Sequence, residues 1–439
     1  MVDDTLTALI YENQNRMMRT GGTRRYLHDR LKSAFPSRPI KVVVGFRRSG
    51  KSWLCMQVVR ELVENGQFGL GDVLILNFED YRLSDIRSPE DLDRVLGLFR
   101  SLSPHPGKKL ILLDEIQTVP GWDRFLRTLY ERNENLELMV TGSNAELLSS
   151  EFAERLAGRH ISFELLPFSF AEVLANRKVI VRTEADYFRN LEDIQDLWNE
   201  FIELGGLPER FSIVDPMAVK SYLGAIFSKV ILDDVVKRYR VEHVAALEQL
   251  ARFVLSSPGQ ILSFASAARK LAAWGAAIKQ DTVILYIGYL KSAFALFDIS
   301  RLDWKTGRHF DTTRKYYAVD TGLAALFRSI AENRSFLLEN TVYLELRRRG
   351  LEVRFGAIEN GKELDFVCAL PGREWLKIQT ARRLTDENRT RELSSFVLAQ
   401  EYVAQGEALL LLEEGGRQVI ERDGVPIRAE PVIRWMLGL

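Results

Sequence analysis

The sequence predicts an α/β fold in several domains, the first of them an open sheet of mainly parallel strands. Three observations carry this. The run "KVVV" (41–44) is unbroken and rich in β-branched residues, as suits a strand buried on both faces, and it passes through "GFRRSGKS" (45–52) into the helical stretch "WLCMQVVRELVENG" (53–66). Three more apolar runs follow, "DVLILNFED" (72–80), "KKLILLDEIQ" (108–117) and "LELMVTGSN" (136–144), each ending in polar residues. At 439 residues the chain also exceeds what one hydrophobic core serves, so two to four domains are expected.

Composition narrows the function classes. Hydrophobic residues at 46% and charged residues at 27% are ordinary for a globular chain. Sixty basic and sixty acidic residues cancel, so any nucleic-acid contact must come from local patches rather than bulk charge. The N-terminus lacks a signal-peptide pattern and no run of about 18 apolar residues occurs, which makes a cytoplasmic location the expectation. Cys55 and Cys368 have no C-x-x-C spacing and read as small buried hydrophobes. The five histidines are scattered without a pair at metal spacing, so no zinc or nucleophilic centre emerges.

The chemistry concentrates in G-x-x-x-x-G-K-S. Gly45 and Gly50 let the backbone curl so that its N–H groups face a phosphate at the following helix N-terminus. Lys51 then reaches the β- and γ-phosphates and Ser52 holds magnesium, with Arg48, Ser49 and Trp53 the adjoining nucleotide contacts. The Arg47–Arg48 pair suits charge stabilisation, nucleotide sensing, a solvent-exposed position or a clamp on another domain equally well. Asp114, ending its strand, is placed as the magnesium ligand, and Glu115 as the group that orients or deprotonates the attacking water. Ser143 or Asn144, ending the next strand, can hydrogen-bond that water or the γ-phosphate.

The blocks "GFRRSGKS", "LDEIQTVPGWDRFLRTLYE", "VTGSNAELLSSEFAERLAGR" and "ELLPFSFAEVL", in this order, resemble prokaryotic AAA-type ATPases with a C-terminal DUF4143 region. The resemblance implies a P-loop NTPase (AAA+) core using ATP and Mg2+, with Glu115 catalytic and Asn144 the first sensor. It also implies an arginine finger acting on a neighbouring subunit, Arg155 or Arg159, the latter preferred, and hence a homo-oligomer such as a hexameric ring. Asn77 resembles the residue that restrains the catalytic glutamate.

The remaining chain is expected to divide into a helical lid (173–257), a winged helix (258–325) and a C-terminal domain (326–439), with an N-terminal helical arm (1–40) before the ATPase core (41–172). In the winged helix, Asp281 and Thr282 would open the second helix as cap and first turn, and the basic loop 301–315, carrying Arg301, Lys305 and Arg308, would be a DNA-contacting wing. The second helix is apolar on several sides, which suits domain packing instead. The C-terminal domain resembles an α/β restriction-endonuclease-like core with Asp365 in place. Gln379 and Ala381 stand at its carboxylate and lysine positions, so it is expected to bind without cutting. Arg347, Arg348, Arg349, Arg382 and Arg383 flank this core as candidate phosphate contacts or a solvated face. Two functions follow: an ATP-driven protein that remodels duplex or branched DNA, or a nucleotide-operated switch acting on a protein partner. An active ATP-dependent nuclease is the third.

Overall fold

The computed structural model describes residues 2–35, 37–103, 106–132, 135–148, 154–156, 158–302, 309–328, 330–357, 363–370, 374–400, 402 and 405–439. They divide into two compact units, Met1–Leu165 and Leu166–Leu439.

In the first unit the apolar runs form strands β1 (Ile40–Val44), β2 (Val73–Asn77), β3 (Lys109–Asp114), β4 (Leu136–Gly142) and β5 (His160–Glu164). Their order is β2-β3-β4-β1-β5, and every pairing is parallel. The central strands are buried throughout, which is why their sequences do not alternate. The N-terminal helix α1 (Val2–Met18) belongs to this body, as does the short α2 (His28–Ser33). α1 buries Leu6, Leu9, Ile10 and Met17. Asn13 and Gln14 donate their amides to Ile75 O (2.9 Å) and Val73 O (2.8 Å), so the helix covers the open edge of β2. Inside the sheet Lys41 and Glu137 form a buried ion pair that neutralises both charges.

The second unit is built on an eight-stranded mixed sheet of β6 (Leu296–Leu302), β7 (His309–Ala318), β8 (Val353–Ala357), β9 (Glu363–Ala369), β10 (Trp375–Ala381), β11 (Glu407–Leu412), β12 (Gln418–Arg422) and β13 (Val425–Pro431). The order is β12-β13-β11-β10-β9-β8-β6-β7. The two strands assigned to a wing pair with each other, but β6 also pairs in parallel with β8 at Arg301↔Phe355, so the wing is the edge of the C-terminal sheet. The two segments expected as helices beside it are helical over Phe264–Ala273 and Gln280–Ser292, after a helix Val244–Leu255 from the segment expected as lid. The second begins one residue before Asp281, after Lys279, with no side-chain cap. Its Val283, Tyr286, Ile287 and Leu290 are buried, while Ile284 and Leu285 are exposed. The helical region meant as a lid, including Leu191–Leu204, lies within this same unit. Among the described residues no helix is long and apolar enough to cross a membrane.

Candidate functional site

The loop between β1 and α3 (Lys51–Glu64) takes backbone conformations that its glycines permit. Gly45 has φ +153° and Gly50 φ +95°, and Arg48 follows at φ +65°. A Cβ on Gly45 would sit 2.2 Å from Leu165 O, so only glycine lets β5 and the loop approach this closely. Lys51 is the first residue of α3, buried, with Nζ donating to Gly45 O (3.1 Å) and Phe46 O (3.2 Å) and lying 3.3 Å from Glu115 Oε1. Ser52 Oγ donates to Asp114 Oδ1 at 2.9 Å.

β3 and β4 run side by side, and their register brings Thr141 to Asp114. Thr141 Oγ1 donates to Asp114 Oδ1, and the same hydroxyl oxygen accepts from Glu115 N at 3.0 Å. Asn77, opposite Asp114 across β2 and β3, accepts from Glu79 N at 3.0 Å and closes a turn. Glu115 stands in the left-handed region at φ +55°, which turns its carboxylate out of the strand direction. Gln117 Nε2 donates to Glu115 Oε2 (2.5 Å) and reaches Ser143 Oγ (3.4 Å).

Burial, and then the charge of Glu115, push the Asp114 carboxyl above the usual carboxylate range, against the pull of Thr141, Ser52 and Lys51. Burial pushes Glu115 up as well. There the Lys51 ammonium, with Gln117 and Ser143, outweighs it and holds the carboxyl below its ordinary value. The pair therefore differs by environment, with Glu115 the group held ionised.

Three hydroxyl or carboxylate oxygens, from Ser52, Asp114 and Thr141, thus converge as a hard-oxygen set of the kind magnesium takes. Ser49 Oγ, buried within the loop, has no hydrogen-bond partner among the described residues, as fits a group awaiting a ligand oxygen.

The other expected residues have these partners. Asn144 is buried, and its Oδ1 accepts from Glu146 N (2.9 Å), so of the two candidates Ser143 is the one brought to Glu115. Trp53 is half-exposed and donates its indole N–H to Gly21 O at 2.5 Å. Arg159 is paired with Glu131 at 2.5 Å and lies over the Tyr130 ring, whereas Arg155 is exposed. Arg47 pairs with Glu79 at 2.7 Å. Sequence reasoning missed Thr141, Gln117 and Arg25, whose Nη1 donates to Ser49 O at 2.6 Å. Thr141 had a local signal, as the polar residue before Gly142 in the strand beside Asp114. Arg25 had none.

In the second unit Asp365 on β9 is buried. Its Oδ2 accepts from Thr380 N (2.8 Å) and Thr380 Oγ1 (2.7 Å). Gln379 spends both ends of its amide internally: Oε1 accepts from Asp365 N (3.2 Å) and Nε2 donates to Glu392 Oε2 (3.1 Å). Lys377 is buried, donates to Gln400 Oε1 at 3.1 Å, and has its pKa lowered by burial. A second lysine of this region is Lys315 from β7, counted in the sequence as part of a basic wing. It is buried beside Glu339 (3.2 Å) and Glu363 (2.8 Å), and Tyr317 O–H donates to Glu339 Oε1 at 2.8 Å. Among the described residues no group of three or more histidine, cysteine, aspartate or glutamate side chains is arranged to hold a metal ion.

The flanking arginines are largely engaged within the protein. Arg314 pairs with Asp298. Arg348 donates to Pro167 O (3.0 Å) and Phe168 O (3.3 Å), Arg349 to Trp435 O (2.9 Å), and Arg382 to Glu414 (3.0 Å). Arg347 lies 4.3 Å over the Phe297 ring. Arg383 is exposed, and Lys305 and Arg308 lie outside the described residues.

An AAA domain family profile matches residues 37–174. An uncharacterized protein of Methanocaldococcus jannaschii, MJ1544, is 30% identical over 360 residues, 81% of this chain and 78% of that one. The chain belongs to the same family as MJ1544. An uncharacterized protein of Haemophilus influenzae is 29% identical over 91% of this chain and 94% of its own length. Over residues 195–334 the matching profile is a domain of unknown function, DUF8612, in place of the DUF4143 region suggested by the motifs. The solved structure of the Aeropyrum pernix Orc1 protein in complex with DNA shares 15% identity at a TM-score of 0.34, covering 72% of this chain and 95% of that one. A likeness that low says nothing of function.

Proposed function

We propose that this AAA-domain protein binds and hydrolyses ATP in Met1–Leu165. The observation that carries the proposal is the convergence of Lys51, Ser52, Asp114, Glu115 and Thr141 at the carboxyl ends of β3 and β4 and the start of α3. Lys51 bridges the loop carbonyls and the Glu115 carboxylate. A triphosphate in the loop competes for that ammonium. As Lys51 turns to the phosphates, Glu115 is released to orient water and accept its proton, with Gln117 and Ser143 fixing the carboxylate's direction. Magnesium, held by Ser52 and Asp114, would supply charge neutralisation at the β- and γ-oxygens. An arginine from a second copy completes the site in this reading. Exposed Arg155 suits that role better than Arg159, which is held by Glu131.

Hydrolysis is coupled, in this proposal, to a macromolecule. The captive state of Arg314, Lys315, Arg348 and Arg349 favours a protein partner. The exposed Arg383 supports DNA as the second reading. Steady-state ATP hydrolysis, alone and with single-stranded, duplex and four-way-junction DNA, tests both levels. Turnover that Glu115→Gln lowers by roughly 10²–10⁴-fold supports the ATPase, and no turnover in any condition refutes it. Stimulation by one DNA structure that disappears at high salt selects the DNA reading over the protein one.

A further inference from the structure

The segment between α1 and α2 crosses the start of α3, held there by hydrogen bonds to residues far away in the sequence. Trp53 Nε1 (2.5 Å) and Gln57 Nε2 (2.7 Å) of α3 both donate to Gly21 O, and Arg60 of α3 donates to Thr20 O. Tyr26 O–H donates to Glu164 O at the end of β5 (2.7 Å). Gly22 makes the crossing possible. It has φ +102°, and a Cβ there would lie 3.1 Å from Trp53 Nε1. The segment is a strap tied to the helix rather than a loose connection.

Two neighbouring arginines of this strap have opposite fates. Arg24 is exposed and pairs with Asp29 and, at 3.7 Å, with Glu61. Arg25 is buried, with 5% of its surface exposed, and its Nη1 donates to Ser49 O at 2.6 Å. That carbonyl belongs to the peptide joining Ser49 to Gly50. A trans peptide points its C=O and its N–H in opposite directions, so an anchor on Ser49 O fixes where Gly50 N–H points. Gly50 N–H is one of the backbone groups that a loop of this pattern turns towards phosphate. The backbone around it is conformationally permissive, with φ +65° at Arg48 and φ +95° at Gly50. A buried, charged donor is about twice as strong an anchor as a neutral one.

We propose that Arg25 is a positioning residue for the phosphate loop: from the side away from the ligand, it sets the Ser49–Gly50 peptide so that Gly50 N–H already faces the phosphate position. Its guanidinium bonds the loop and not the nucleotide, so what it supplies is preorganisation. The effect therefore falls on the phosphates, whatever base they carry. This role rests on the nucleotide-binding reading of the loop.

Calorimetric titration of the full chain with ADP and with tripolyphosphate, both with magnesium, tests it in the parent, Arg25→Met and Arg24→Met. Tripolyphosphate has neither base nor ribose, so an effect shared by the two probes passes through the loop. The expected result is saturable binding of both probes by the parent and about tenfold or more weaker binding of both by Arg25→Met. Arg24→Met, which removes the same charge one residue away, binds as the parent does. ATP turnover by Arg25→Met shows KM raised by a similar factor with kcat within about twofold, the pattern of lost uniform binding. Arg25→Gln, shorter and uncharged, gives the same loss if Arg25→Met fails to fold. Affinity kept while stoichiometry or kcat falls marks a merely structural residue and overturns the proposal. A loss for ADP alone places Arg25 on the base or ribose, and an equal loss in Arg24→Met reduces the effect to net charge; either overturns it. A parent that binds neither probe refutes the nucleotide reading itself, whereas variants that bind as tightly as a binding parent refute only the role of Arg25.

Discussion

Replacing Lys315 with methionine is the sharpest test of how the C-terminal sheet is held together. The ammonium is the charge that three acidic groups surround: Glu363 and Glu339 at 2.8 and 3.2 Å, with Asp365 acting through its field. Methionine keeps the length and apolar stem but leaves the carboxylates buried without a cation. Removing one partner of a buried pair costs about 3–5 kcal/mol. For a unit of this size that lowers the melting temperature by roughly 5–15 °C. The loss has a pH signature. Without Lys315 the Glu339 carboxyl, already pushed up to about 8, is pushed further, so the deficit grows as pH rises above about 8. Glu339→Gln added to Lys315→Met removes one of the stranded charges and recovers part of the loss. Chemical unfolding at pH 7 and pH 9, followed by fluorescence, measures all of this. A single variant within about 1 kcal/mol of the parent at both values, or a double variant no better than the single, would refute the argument.

Three further outcomes follow from the same geometry. Thr141→Val removes the hydroxyl that donates to Asp114 and accepts from Glu115 N; loss of about 1–3 kcal/mol of positioning is expected to slow ATP turnover roughly 5–100-fold while fluorescent-nucleotide binding changes less. Plasmid DNA incubated with the protein and magnesium or manganese is expected to stay uncut, because Gln379 spends both amide ends on Asp365 N and Glu392; nicking by purified protein that Asp365→Ala abolishes would reverse this. Glu339 is pushed up to about 8, first by its burial, with Lys315 pulling against that. A carboxyl raised in the folded state stabilises fully below its ordinary range and loses that contribution as pH rises through about 8, so a thermal-melt series should fall over this window in the parent and flatten in Glu339→Gln.

The phosphate loop, the strands around it and the carboxylates of β3 were legible in the sequence because each depends on neighbours within a few residues. A β-branched run must be buried, glycines must sit where φ is positive, and Lys51 and Ser52 follow from the turn itself. Gln379 and Ala381, the positions where the resemblance expects a carboxylate and a lysine, were equally local, since β10 pairs antiparallel with β9, the strand just before it in sequence, and both residues are read directly from it. What the tertiary structure decided are pairings between distant segments. Arg301 meets Phe355 only because β6 joins β8, and this turns an expected wing into a sheet edge. The same addition buries Lys315 among acidic residues from elsewhere in the chain, so a residue counted as part of a basic surface becomes an internal counter-charge. Thr141 and Gln117 reach Asp114 and Glu115 through the β3–β4 register and the turn after it. Composition records how many charges a chain carries; only the fold decides which of them water can reach, because burial is settled by segments that the local sequence does not see.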